Sequence, residues 1–350
     1  MSGEVDIYTP RMLVASVNAT RAPRKFLLET FFNSVSFSET EEVDIDIMKG
    51  GKELAVYCHP LENGILVADR GYTTKAIKPA YTREFSPITA KTVIKRSFGE
   101  DYTKPLSPQE RAQRRLGDIL TNLDTRIVRR EEAMAAEAMV TGKIRITNVN
   151  DEGEIEDNII DFGYEQGQHL KTLSGSSCWD LGGDLMFDLD DWASEIGDRS
   201  GLTADIIIVG KKVAKAIIDN EKVKERLDIR NFVPGQIGPI VTAQPGVRYL
   251  GKLMPSMIDI YCYDESFYNP VTKKMQSLIP DDAVLMGCTT AGCMMLYGLI
   301  QNINSLAAIP RFPWSWAKDN GTARFVQLES APLPNLYNVD AFMCARVLGK

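Results

Sequence analysis

The chain has 350 residues, 44% of them hydrophobic and 25% charged, with a net charge of −7; at roughly 150 residues per domain that is enough apolar material for two or three units with real cores. No run of about 18 apolar residues occurs and the first residues carry acids without an apolar stretch, so neither a membrane span nor a secretory leader is expected. The six cysteines, at positions 58, 178, 262, 288, 293 and 344, form no C-x-x-C pair, which points to free buried thiols rather than to disulfides or structural zinc.

Residues 1–42 read as a thin arm. Met12-Leu13-Val14, Phe26-Leu27-Leu28 and Phe31-Phe32 are too little apolar material for an independent core, so the arm must pack on something else. Val43, Ile45 and Ile47 then alternate with acids, the period-two signature of a half-buried strand. Residues 43–98 are extended and turn-rich, with Gly50-Gly51, Asn63-Gly64 and Arg70-Gly71 as turn signals and Ile88, Ala90, Thr92 and Ile94 alternating as a further strand. Their middle, 72–81, is polar and basic. A two-stranded ribbon with so little apolar surface is marginal in water, and a supporting surface from another subunit is expected.

The best-patterned element covers 107–142. Ser107 precedes Pro108 and stands three residues before Glu110, the capping-box spacing at a helix start. Leu116, Ile119, Leu120, Leu123, Ile127, Val128, Met134 and Ala138 share one face at steps of three and four. Arg111, Arg114, Arg115, Asp118, Asp124, Arg129 and Arg130 fall largely off that stripe, and Gly142 suits the left-handed end. At about 1.5 Å per residue this helix is on the order of 50 Å long.

Lys143 to Ile146 and Asn158 to Phe162 read as a hairpin. A Gly/Ser/Gln-rich stretch follows over 163–180, and Asp188-Leu189-Asp190-Asp191-Trp192 opens a helix with acids in its first turn. Beyond it strands and helices mix: a buried strand over 204–209, a helix over 213–220, then strands at 249–253, 258–263, 283–287 and 294–299, an α/β unit. Late strands at 324–328 and 341–347 are free to return to an earlier sheet.

Charge is unevenly placed. Between Arg70 and Arg130 there are fourteen Lys/Arg against six Asp/Glu; between Asp151 and Ser200 there are two against fourteen. A basic arm and an acidic body can complement each other between adjacent copies, or both can be solvated faces. Lys75, Lys78 and Arg83, with Tyr72 and Tyr81 among them, read as an inter-subunit contact ahead of a nucleic-acid strip. No catalytic set emerges. Gly210-Lys211-Lys212 lacks phosphate-loop spacing and Gly175-Ser176-Ser177 is no nucleophile elbow. His59 and His169 have no nucleophile placed by spacing. The acids Asp180, Asp184, Asp188, Asp190 and Asp191 lack a calcium-loop pattern and read as helix caps and a solvated face. No cofactor or metal is expected.

Several stretches together resemble the major capsid protein of lambda-type tailed bacteriophages, the capsid protein E family. They are Phe31-Phe32 before Phe37-Ser38-Glu39-Thr40-Glu41; Arg70-Gly71 before the basic ribbon; Val223-Lys224-Glu225-Arg226-Leu227-Asp228; Ile279-Pro280-Asp281 leading to Val284-Leu285-Met286-Gly287; Tyr297-Gly298; and Glu329-Ser330-Ala331-Pro332-Leu333 before Asp340-Ala341-Phe342. The resemblance implies an α+β Hong Kong 97-type fold. Its parts are an N-terminal arm (1–42), an extended loop (43–98), a peripheral domain (99–187 and 302–350) on a spine helix at 107–141, and a mixed α/β axial domain (188–301). It also implies hexamers and pentamers in an icosahedral head in the virion, assembled in the host bacterial cytoplasm with a scaffold, a portal and a possible decoration protein around double-stranded DNA, with no membrane. On this reading Arg70, Gly71, Lys75, Lys78, Tyr81 and Arg83 are inter-subunit contacts. Arg111, Arg114, Arg115, Arg129 and Arg130 form a spine-helix surface toward a neighbour or the genome. The alternatives are an encapsulin-like shell of a cellular compartment and a cytosolic α/β enzyme with its catalytic domain at 188–301.

Overall fold

The long helix is the axis on which the rest is hung. In the computed structural model, which describes residues 8–20, 25–40, 42–48, 72–95, 100, 106–149, 155–220, 223, 227–228, 246–253, 256–269, 272–303 and 307–349, it runs Pro108–Thr141. Its first turn closes reciprocally: the Glu110 amide donates to Ser107 Oγ at 3.3 Å, and the Ser107 amide donates to Glu110 Oε2 at 2.7 Å. At the other end Gly142 takes φ 68° and its amide returns to the Ala138 carbonyl.

The apolar stripe of this helix serves two cores in succession. Leu116, Ile119, Leu120, Leu123 and Ile127 pack with Leu13 and Val17 of the arm helix Pro10–Thr20. Ile88, Val326 and Leu328 complete that cluster from an antiparallel sheet ordered Phe312–Ala317, Ala323–Ser330, Thr82–Thr89. Val128, Met134, Ala135, Ala138 and Met139 enter the main core, with Phe26, Phe31 and Phe32 of the arm, Ile144 and Ile160 of the hairpin Lys143–Val149/Ile155–Asp161, and Leu285 and Phe342.

Leu285 and Phe342 belong to a seven-stranded mixed sheet ordered Leu170–Thr172, Phe342–Arg346, Ala283–Gly287, Ile206–Val209, Ile258–Tyr263, Val247–Leu253, Leu227–Asp228. Helices Leu185–Ser200 and Lys211–Asp219 cover one face through Leu189, Trp192, Ile196, Val213 and Ile217. The main core covers the other. A strand sealed on both faces has no polar side to show, which is why Ile206–Val209 is apolar at every position. The sheet takes strands from both sides of the expected boundaries at 188 and 301, so the late strand Phe342–Arg346 joins this sheet and lies between its neighbours of 170–172 and 283–287.

Three expectations are corrected. Ala90, Thr92 and Ile94 are not strand residues: the strand ends at Thr89, and Ala90–Ile94 is a helix turn closed by a Thr89/Thr92 capping box, a local hydrogen-bond alternative to the ladder. The helix expected to open at Asp188 starts at Leu185, because Asp184 accepts from the Phe187 amide at 3.4 Å. The foot of the basic ribbon needs no second subunit, since Val43–Met48 pairs antiparallel with Tyr72–Ile77 and buries Val43 and Ile45 in the main core of its own chain. The turns at Gly50-Gly51 and Asn63-Gly64, with Cys58 and His59, lie outside the described residues.

Candidate inter-subunit surfaces

The ribbon foot is fastened at two points. Lys75 Nζ donates to the Asp161 carbonyl at 2.7 Å, while Lys143 pairs with the Asp161 carboxylate at 2.8 Å. Burial pushes that carboxyl up, but Lys143, the Gly163 amide and Lys75 outweigh it and hold Asp161 below its usual range. Further on, Glu329 is fully buried under the ribbon's exit. It accepts from Tyr81 Oη, from Arg83 Nη2 at 3.2 Å, from Asn302 Nδ2 at 2.7 Å and from Gln327 Nε2. Arg83 lies directly across the ladder from Glu329 and stands 5.3 Å over the Tyr81 ring. Burial and the adjacent Glu329 carboxylate push the Tyr81 phenol up to about 12. The side chains of Lys75, Tyr81 and Arg83, expected to reach a neighbour, thus have partners within their own subunit. Lys78 is exposed. Arg70 and Gly71 lie outside the described residues.

The arginines of the long helix differ in exposure. Arg111 is not on an outer face: its guanidinium embraces buried Glu100, with Nη2 at 2.7 Å from Oε1, and its Nη1 donates to the Ile94 carbonyl. Arg114, Arg115, Arg129 and Arg130 are exposed.

The other face holds the charges that periodicity misplaced. Asp124, expected off the apolar stripe, is 1% exposed, and Glu131 and Glu132 are buried beside it. Arg311, itself 6% exposed, donates to Asp124 at 2.6 Å and to both oxygens of Glu131 at 2.8 and 3.0 Å. Burial works against the Arg311 charge, yet Glu131 and Asp124 overrule it and carry its pKa upward. Glu132 reaches the arm, accepting from the Leu27 and Leu28 amides at 2.9 and 3.2 Å and from Tyr263 Oη at 2.8 Å. Adjacent carboxylates of one helix thus bind the arm on one side and residue 311 on the other. No local signal sets them apart: Glu131 and Glu132 follow Arg129 and Arg130 in a charged run that looks like a solvated face.

Among the described residues, His169, Gly210 and the acids Asp188 and Asp190 are held by local packing and hydrogen bonds. His169 Nδ1 accepts from the Glu165 amide at 3.1 Å and Nε2 donates to Asp340 at 3.0 Å, so both ring nitrogens are committed. The N-cap of Lys211–Asp219 is Gly210, where a Cβ would sit 2.1 Å from the Pro280 carbonyl oxygen and only glycine fits. In the acid cluster, Asp188 accepts from the Trp179 indole at 2.8 Å and Asp190 from Ser256 Oγ at 2.6 Å. Among the described residues no three His, Cys, Asp or Glu side chains group to hold a metal ion, and no helix is long and apolar enough to cross a membrane. Cys178, Cys262, Cys288, Cys293 and Cys344 are free and buried.

The chain has relatives along nearly its whole length. The major capsid protein of Escherichia phage lambda is 26% identical over 355 residues, 98% of this chain and all of that protein. The major capsid protein of Enterobacteria phage phi80 is 24% identical over 354 residues, again 98% of this chain and all of the other. Among solved structures, a prophage capsid protein from Escherichia coli CFT073 superposes with a TM-score of 0.72 at 18% identity, covering 97% of this chain and 98% of that one. A phage-related protein from Bordetella bronchiseptica RB50 gives 0.52 at 12% identity, with 98% of each covered. The α+β architecture is the Hong Kong 97-type capsid fold implied by the sequence resemblance. Residues 9–347 match the family described as phage major capsid protein E, named for a shell component and not for a catalysed reaction. From the arm to the last strand, then, the chain belongs to the phage major capsid protein E family.

Proposed function

We propose that the chain is the shell-forming subunit of a tailed-phage head, assembling with copies of itself as hexamers and pentamers into a closed icosahedral capsid around double-stranded DNA. The observation that carries this is the family match over residues 9–347. The fold is consistent with it: a capsid subunit needs rigid bodies joined by projecting elements, and here a two-stranded ribbon and a thin arm are fixed at their feet to a helix of 34 residues. The family is one of phage head proteins, which favours a head over a cellular compartment or a cytosolic enzyme.

Within the shell, the exposed side of the ribbon at Lys78 meets acids of an adjacent subunit, and Arg114, Arg115, Arg129 and Arg130 face a neighbour or the packaged DNA. A scaffold and a portal serve assembly, and a decoration protein can sit on the finished shell. DNA is met through its phosphates without sequence readout. The test is electron microscopy with sedimentation on the purified chain, alone and with a co-expressed scaffold. Closed particles of megadalton mass are expected. A stable monomer or dimer under every condition would overturn the proposal.

A further inference from the structure

Helix Leu185–Ser200 ends on an anomaly. Arg199 stands in its last turn, and its Nε, Nη1 and Nη2 are all shielded from solvent without a hydrogen-bond partner. A guanidinium carries five donors and does not give up its proton. Withdrawing it from water without an acceptor is among the costliest arrangements a fold can hold.

The chain has acids at hand and spends them elsewhere. Glu195 stands four residues before Arg199, the spacing and order at which a carboxylate and a cation pair along a helix. Lys171, reaching in from the edge strand Leu170–Thr172, takes Glu195 at 2.6 Å instead. Asp198 is the adjacent residue, and adjacent residues do not face each other on a helix. The helix end favours a positive charge there, but its carbonyls supply no aligned acceptor to the guanidinium. Tyr164, whose phenol feels the Arg199 charge, is half-buried and donates to the Met139 carbonyl at 3.4 Å.

Next to this side chain the surface opens into a cleft of about 210 Å³ lined by Gly167, Gln168, Glu195, Asp198 and Arg199. One wall is a turn rather than a packed element: Gly167 takes φ 85°, and Gln168 is exposed. An arginine stem is long enough to swing its head into such a cleft.

We propose that Arg199 is a docking arginine that pairs with a carboxylate of a second copy of this chain, entering through the cleft between the 165–170 turn and the end of helix Leu185–Ser200. The second copy is the occupant because the subunit is rich in the required group. It carries 47 Asp and Glu against 40 Lys and Arg, and between 151 and 200 Lys171 and Arg199 are the only Lys or Arg against fourteen Asp and Glu. A carboxylate accepts two parallel N–H bonds from a guanidinium, the geometry that repays its desolvation. The cost of the unpaired cation is thereby borne by the free subunit and relieved on assembly, so that it drives association. This rests on the shell-forming reading above.

The test separates the two. Arg199→Met keeps the stem and removes the charge; Arg199→Gln keeps a donor without charge. Each is compared with the parent chain for resistance of the unassembled subunit to denaturant and for the protein concentration at which particles form in sedimentation. Arg199→Met is expected to raise the denaturation midpoint of the subunit while raising the concentration needed for assembly at least tenfold, with Arg199→Gln between it and the parent. A lowered midpoint in both variants, meaning that the guanidinium is satisfied inside the subunit, overturns the proposal, and so does assembly unchanged from the parent. A parent chain that never forms particles, with or without scaffold, overturns the shell-forming reading and the docking arginine with it.

Discussion

Arg311 and Glu131, 180 positions apart in sequence, meet through two parallel contacts of 2.8 and 3.0 Å on a face of the long helix closed to solvent, with Asp124 one pair of turns away at 2.6 Å from the same guanidinium. The Tyr297 hydroxyl donates to Glu131 at 2.9 Å and completes the set. A buried ion pair gains little over a well-packed apolar one, but removing one partner strands the other. Arg311→Met is therefore expected to cost the isolated subunit about 3–5 kcal/mol, because it leaves two carboxylates buried. The triple change Asp124→Asn, Glu131→Gln, Arg311→Met should cost clearly less. Denaturant titration of the unassembled chain measures both, and a single variant as mild as the triple one would contradict the account.

Glu132 makes the attachment of the arm sensitive to pH. Burial raises its carboxyl to about 7, against the pull of the Leu27 amide, Tyr263 Oη and the Leu28 amide, with nearby Glu265 adding to the rise. The folded chain therefore holds this proton more tightly than the unfolded chain, whose glutamate titrates near 4.5. Its contribution to stability is fully present below pH 4.5, is lost as pH rises to about 7, and is absent above that. The amplitude is on the order of 3 kcal/mol. Glu132→Gln keeps the shape and cannot ionise. The difference in stability between it and the parent should move in the variant's favour between pH 5 and pH 7.5, and parallel profiles would remove Glu132 as the cause.

Two glycines of the long helix should respond oppositely to alanine. Gly117 lies in the helix with nothing within 4 Å of the position a Cβ would take, so Gly117→Ala should stabilise the subunit by about 0.5–1 kcal/mol. Gly142 holds φ 68°, and a Cβ there would fall 2.2 Å from the Tyr164 ring. Gly142→Ala should destabilise by more than about 1 kcal/mol. Thermal unfolding of the two variants beside the parent tests the pair; a gain from both would mean that Gly142 ends the helix for some other reason.

What could be read ahead of the structure was whatever is encoded locally. Ser107, Glu110 and Gly142 announce the ends of the long helix through groups three or four residues apart, and Val43 and Ile45 announce a buried strand face by alternation. The buried acids Asp124, Glu131 and Glu132 were not legible, because a carboxylate off the apolar stripe looks the same whether water or a guanidinium 180 residues away receives it. Glu329 is the same case. Its position in a recognisable stretch was plain, but the convergence of Tyr81, Arg83, Asn302 and Gln327 on it exists only once the strand Thr82–Thr89 has paired with Ala323–Ser330. The alternation of Ala90, Thr92 and Ile94 misled for the opposite reason, since a local cap outweighed the pattern.

The ribbon's charge can be tested apart from its folding. Lys75 donates to the Asp161 carbonyl of its own subunit, and Lys78, one residue beyond the paired strand, is exposed. If the ribbon meets acids of a neighbour, Lys78→Glu places like charges across that contact, and Lys75→Glu with Lys78→Glu adds the loss of the Asp161 tie. Both variants should remain folded as subunits, by circular dichroism and by an unfolding midpoint within a few degrees of the parent for Lys78→Glu. The double variant should fail to form particles in sedimentation and electron microscopy. Because an exposed contact is screened by salt over about 10 Å at 0.1 M, raising the salt should restore part of the assembly of Lys78→Glu and none of what Lys75→Glu removes within the subunit. Normal particles from the double variant at low salt would rule out charge pairing at the ribbon, and a salt-independent defect in Lys78→Glu would place its contribution in packing.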